Sequence, residues 1–208
     1  ANRMLTIVGT EGAAKTIIDG GDTSRCADLS GDGTYTSVPT HTNTVLMGFT
    51  VRKGRVKHET GAGVRGGTVV ACVVSTNGAG CAYSVVHESL ITGNLMPRDY
   101  SNPFGAGTFN CRLYNCTVVS NSTGNRDFSF GGCCGISGGF AVNCIVQGNV
   151  NALGEEWNIG DNVDHAFTVT NGAKFVDAAN GDFRLQEGSP AIGAGVSYAN
   201  LGKDLDSK

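Results

Sequence analysis

The chain has 208 residues, of which 32 are glycine and only 16% are charged, with a formal net charge of −3. That balance argues against the basic face of a nucleic-acid binder, and no apolar run approaches the roughly 18 residues a membrane-spanning helix needs. Val, Ile and Thr recur in runs of two to four while helix-forming stretches are nearly absent, so an all-β chain is expected, long enough to bury a core.

Taken in order, residues 5–8 and 16–19 read as strands of an entry segment that ends in the turn Gly20-Gly21-Asp22. Residues 22–44 are polar and read as a loop with one short strand near Cys26. The run from Val45 to Val51 opens a regular stack. Within it one phrase returns four times: Cys72 to Asn77, Ser89 to Asn94, Cys116 to Asn121 and Cys144 to Asn149. A small residue opens each copy, an aliphatic or β-branched pair follows, and asparagine stands five places on. Glycine-rich starts at Gly61, Gly78, Gly105 and Gly131 run in step, 17, 27 and 26 residues apart. Such spacing fits one coil of a stacked-repeat fold. One domain is expected over 1–208, with entry coils and a loop at 1–60, regular coils at 61–149 and an irregular tail at 150–208 that holds a strand at Lys174 to Val176. The chain starts at Ala1 without an initiator Met or signal segment, and reads as a mature form or an excised fragment.

Asparagine tolerates left-handed backbone angles and its amide can bond the asparagine one coil above, so Asn77, Asn94, Asn121 and Asn149 should form a ladder. Asn115 over Asn143 would make a second, shorter one. This explains Asn115-Cys116-Thr117 and Asn121-Ser122-Thr123 better than their fit to the glycosylation sequon. Cys72, Cys116 and Cys144 share one place in the phrase, with Ser89 in the remaining copy, and stacked places lie about 4.8 Å apart. A ladder of small buried thiols follows. A bridge between Cys116 and Cys144, or one among Cys111, Cys133 and Cys134, stays open, and no paired CxxC spacing suggests zinc.

The longer coils insert residues between the asparagine and the next glycine start, which crowds the insertions on one side, the usual place for function in repeat proteins. Arg98-Asp99-Tyr100 precedes Phe104, and Arg126-Asp127-Phe128 precedes Phe130. The first insertion holds Arg52, Lys53, Arg55, Lys57, His58 and Glu59; the last holds Glu155, Glu156 and Trp157. Aromatic faces pack against sugar CH groups, and Arg or Asp supply directed hydrogen bonds to hydroxyls or uronate carboxylates. The candidate ligand-binding residues are therefore Arg98, Asp99, Tyr100, Arg126, Asp127, Phe128 and Trp157. The competing view makes each Arg-Asp pair a loop salt bridge and each aromatic a plug over the core. His87-Glu88 and His58-Glu59 occupy different coil positions and should not stack. Tyr114 and Val142 should share the His87 position. No cofactor is expected; Asp161, Asp164 and His165 offer the oxygen-rich cluster a calcium ion would need.

The tail from Phe175 through Asp177, Gly181-Asp182-Phe183-Arg184-Leu185 and Gly188-Ser189-Pro190-Ala191-Ile192 resembles the closing motif of bacterial right-handed parallel β-helix proteins of the pectate-lyase-like superfamily. Thr16 to Gly21 and Gly48 to Val51 resemble the first coils of such proteins. The resemblance implies an all-β, right-handed parallel β-helix of about six coils, secreted or on a bacterial cell surface. Gly193 departs from the family's Asp or Asn, and Asp204-Leu205-Asp206 resembles an element after which the family adds a final strand. The catalytic motifs of polygalacturonases and pectate lyases are absent from the sequence. Three functions stay open. The leading one is a non-catalytic module that binds polysaccharide or a cell-surface glycan, or adheres. The second is a lyase acting on uronate polymers by β-elimination, with Arg98 or Arg126 neutralising the carboxylate and Tyr100 or His87 as base. The third is a structural solenoid that associates end to end.

Overall fold

A computed structural model describes residues 5–30, 43–57, 59–97, 105–124 and 133–197. Two parallel sheets dominate. In the first, Leu5–Val8, Thr44–Met47, Thr68–Val70, Val85–His87, Thr108–Tyr114, Ile136–Val142 and Val163–Ala166 lie side by side. A second column of the same sheet joins Ala27–Asp28, Val64–Arg65 and Cys81–Ala82 to the first halves of the two long strands. The bend between the columns falls at Gly66, Tyr83, Asn110 and Gly138, all with positive φ. The other sheet stacks Ile17–Asp19, Thr50–Arg52, Val73–Ser75, Leu90–Thr92, Thr117–Val119 and Ile145–Gln147. Equivalent asparagines recur 17, 27 and 28 residues apart. This is a parallel, solenoid-type repeat architecture, and His87, Tyr114 and Val142 do share one register position.

Strands of three residues suffice because the middle residue of each faces inward. Leu46, Val69, Val86, Leu113 and Ala141 line the interior from the first sheet, and Val51, Val74, Ile91, Val118 and Val146 from the second, all at most 1% exposed. Each larger aliphatic among them contributes about 1.5–3 kcal/mol by leaving water. The column ends at the N-terminal side with Ile7, which is 38% exposed although it is in register with Leu46.

The turns differ from expectation in one respect. The left-handed residue is the one before each ladder asparagine: Thr76, Gly93, Ser120 and Gly148 have positive φ, and the asparagines do not. A matching corner between the two sheets runs through Gly48, Ala71, Glu88, Asn115, Asn143 and Phe167.

The ladder itself forms and is longer than the phrase suggested. Asn77 Nδ2 donates to Asn94 Oδ1 at 2.9 Å, Asn94 to Asn121 at 2.9 Å, and Asn121 to Asn149 at 2.8 Å. Asn149 then donates to Asn158 at 3.0 Å, and at the other end Gly54 N–H donates to Asn77 Oδ1 at 2.8 Å. Each of the four amides also donates to a carbonyl of the preceding rung of the second sheet: Val51, Val74, Ile91 and Val118 respectively. Glycines make room for it. A Cβ on Gly107 would sit 2.5 Å from the Gly135 carbonyl oxygen and 3.1 Å from Asn121 Nδ2, and one on Gly135 would meet Asn158 O and Asn149 Nδ2. The fourth glycine-rich start therefore falls at Cys133-Cys134-Gly135, in register with Gly105-Ala106-Gly107, and not at Gly131. Among the described residues no second asparagine ladder is seen: the Asn143 amide pairs with the backbone of Val196, donating at 2.8 Å and accepting at 3.0 Å.

The cysteine column has a polar reason. Cys72, Ser89, Cys116 and Cys144 each donate to the carbonyl two residues back, at Val70, His87, Tyr114 and Val142, bridging the left-handed corner residue. Thr168 does the same to Ala166. Each of these carbonyls already accepts a backbone N–H from the preceding rung, and the small thiol or hydroxyl fills its second lone pair while satisfying its own buried donor. All eight cysteines are free thiols.

The tail packs on the far end. Ala173 N–H donates to Gln147 Oε1, and Ser189 Oγ donates to Ala173 O at 2.6 Å. Phe175–Asp177 and Asp182–Leu185 form an antiparallel pair, with Phe175 edge-on to Phe183 at 5.3 Å. Asp177 caps the short helix Ala178–Asn180, which Gly181 ends with φ 81°. The Phe-Val-Asp and Gly-Asp-Phe-Arg-Leu segments of the tail thus serve a structural hairpin.

Candidate functional site

The insertions leave the stack between the ladder asparagine and the next first-sheet strand, but most of their candidate residues lie outside the described residues. This holds for Arg98, Asp99, Tyr100, Arg126, Asp127, Phe128 and His58. The last insertion is described. Asn151, 3% exposed, organises it by accepting from Leu153 and Glu155 N–H and donating to the Glu155 carboxylate. Trp157 is half-buried at its end, with its N–H on Asn149 O at 2.7 Å and its carbonyl accepting from Cys133 Sγ. In the first insertion, Glu59 is engaged by Arg25, which also binds Asp28 and the Gly61 carbonyl, while buried Arg65 stands within 4 Å of both carboxylates. Arg52 and Lys53 both approach Asp19. These charges clamp the insertion to the stack.

A second group of side chains lies on the outer face of the first sheet. Parallel register places Thr68, Val85, Arg112, Phe140 and Asp164 in one outward column, and Val70, His87, Tyr114 and Val142 in the next. Arg112 and Asp164 are exposed and stand on either side of half-buried Phe140, two rungs or about 9.6 Å apart. Tyr114 stacks on His87 with ring centroids at 5.0 Å and planes 12° apart, as the rung spacing dictates, and meets Phe140 edge-on at 6.0 Å. Burial holds the His87 imidazole below its ordinary pKa, so it is neutral at pH 7 and belongs to the aromatic row. The sequence carries a signal for this group that the repeat phrase obscured. Arg112 and Tyr114 alternate with buried Cys111 and Leu113 in the strand before the third phrase, and Arg112 and Tyr114 are the members of that alternation that face out.

Glu88, Asn115, Cys116, Thr117, Asn143 and Ile145 line a shallow corner cavity of about 220 Å³. Asp164 and His165 lie together on Val163–Ala166, and among the described residues no group of three or more His, Cys, Asp or Glu is placed to hold a metal ion. No helix among the described residues is long and apolar enough to cross a membrane.

Comparison of the chain with protein-family models, with curated proteins and with solved structures gives no match.

Proposed function

We propose that the chain is a secreted or cell-surface module that binds polysaccharide without cleaving it, built as a right-handed parallel β-helix of about six coils and similar to the pectate-lyase-like superfamily. The handedness follows from the strong right-handed preference of parallel crossovers. The observation that carries the binding reading is Phe140 facing outward between Arg112 and Asp164 beside the His87–Tyr114 stack. A pyranose ring laid on Phe140 fits the interval between a guanidinium and a carboxylate. Arg112 then pairs with a uronate carboxylate or a hydroxyl, and Asp164 accepts from hydroxyls at the other end. The insertions Arg98–Tyr100, Arg126–Phe128 and Trp157 add further contacts of the same chemistry along the loop-bearing side.

The test is retention in affinity gels loaded with uronate-containing and neutral polysaccharides, while absorbance of unsaturated products is followed in parallel. Retention without product is expected. Product that disappears in Arg98→Ala or Arg126→Ala would replace the binding reading with a lyase, and silence in both assays would leave an adhesive or end-to-end structural role.

A further inference from the structure

The asparagine ladder is polarised along its length. In every rung an Nδ2 donates to the Oδ1 of the next asparagine toward the C-terminus, so the side-chain amide dipoles align. The oxygen end of the row, at Asn77, faces donors: the Gly54 N–H at 2.8 Å and the Cys26 thiol at 3.7 Å. The N–H end, at Asn158, points its own Nδ2 at the Glu156 carboxylate at 2.8 Å. Thr170 O, at 3.4 Å, is its longer second acceptor. An anion at the positive end of aligned amide dipoles is favourable for the same reason as at a helix N-terminus, and a charge-assisted hydrogen bond is stronger than a neutral one.

Glu156 is bridged to Val150 and directly precedes Trp157. The Trp157 backbone is gripped on both sides: its N–H donates to Asn149 O, and its carbonyl accepts from the Cys133 thiol and from the N–H groups of Cys134 and Gly135. We propose that Glu156 is a positioning residue, which terminates the ladder and thereby fixes the end of the insertion that carries Trp157 toward the ligand. The proposal rests on the binding function put forward above. It links the interior amide row to the loop-bearing side through one carboxylate.

Trp157 is the single tryptophan of the chain, so its emission reports this segment alone. In Glu156→Ala, Trp157 emission should move to longer wavelength and become more accessible to acrylamide, with far-ultraviolet circular dichroism unchanged. Polysaccharide retention should fall about tenfold, the scale of one lost hydrogen bond to a charged group. Glu156→Gln keeps an acceptor oxygen for Asn158 and should restore the emission maximum while recovering retention in part. Emission in Glu156→Ala identical to that of the parent chain, or a shift in Glu156→Gln as large as in Glu156→Ala, would overturn the assignment. If the parent chain is retained by no polysaccharide, the binding reading fails by itself, and the emission comparison still decides what Glu156 does.

Discussion

Asn121 sits in the middle of the ladder, and its replacement by alanine tests the structural argument most sharply. Its Oδ1 accepts from the N–H of Asn94 at 3.1 Å and from Asn94 Nδ2 at 2.9 Å, and its Nδ2 donates to Asn149 Oδ1 and Ile91 O. All of these groups are buried, and Asn94 and Asn121 are 0% exposed. Alanine removes the side chain while the Asn121 backbone N–H keeps its bond to Asn149 Oδ1 at 3.0 Å. Left without a partner is the Asn94 N–H, and Asn94 Nδ2 keeps only Val74 O, while the Ile91 carbonyl stays in the parallel ladder with Thr117–Val119. At about 1–3 kcal/mol for each of these two buried donors left short of a partner, the loss comes to about 2–6 kcal/mol, a large share of the 5–15 kcal/mol of a typical domain. Urea unfolding followed by circular dichroism should show a midpoint lowered accordingly. Hydrogen exchange should show the Asn94 amide losing protection first. Thr92→Ala, on the outer face of the second sheet, should stay within about 0.5 kcal/mol of the parent. A midpoint for Asn121→Ala as close to the parent as that of Thr92→Ala would refute the argument that the ladder holds the rungs together.

Gly107→Ala should destabilise more than Gly93→Ala in thermal scans. The first puts a Cβ 2.5 Å from a backbone oxygen, whereas the second has open space and only a left-handed φ of 60° to oppose it. Thiol titration with an aromatic disulfide at pH 8 should find the native chain nearly inert. Burial pushes Cys26 up to about 11 and Cys111, Cys133 and Cys134 up to about 12, so the reactive thiolate is scarce, and all eight thiols should appear on unfolding. Fewer than eight in the unfolded, unreduced chain would mean that a bridge exists. Burial raises the Asp28 pKa, but the Ser30 hydroxyl and N–H together with Arg25 and Arg65 outweigh it and leave the carboxyl below its ordinary 3.8. A carboxyl depressed in the fold stabilises above its unfolded pKa and loses that contribution as pH falls through the folded value. Asp28→Asn should therefore lower stability at pH 6 and flatten its decline below pH 3.8 in acid titrations; a parallel decline would show that Asp28 is not part of the clamp.

Much of the architecture was legible because a solenoid repeats its requirements. The same inward aliphatic, small donor and terminal asparagine must return at each rung, and the spacing of Cys72, Ser89, Cys116 and Cys144 exposed that. The ladder's last member escaped because Asn158 follows Asn149 by nine residues, after an insertion, and closes no copy of the phrase. Thr168 escaped for the same reason: its corner carries Phe167 and no valine pair follows it. The glycine start at Gly131 misled because glycine can serve either a turn or a close approach. At this rung it is Gly135, against Asn149 Nδ2, that meets the second need. The outer face was harder to see. Arg112 and Tyr114 share one rung but Phe140 comes from the next, and only the register of 28 residues between Arg112 and Phe140 brings them together. Where a strand faces water, sequence fixes alternation, but neighbours on the surface depend on coil length.

The most direct test of the binding face is affinity electrophoresis of the parent chain against Phe140→Ala and Arg112→Ala in gels containing the best-retained polysaccharide. Retention should fall about tenfold or more in each variant, as expected when an aromatic platform or a charged hydrogen bond is removed, with unfolding midpoints close to the parent's. Retention unchanged in both folded variants would contradict the assignment of ligand binding to this face.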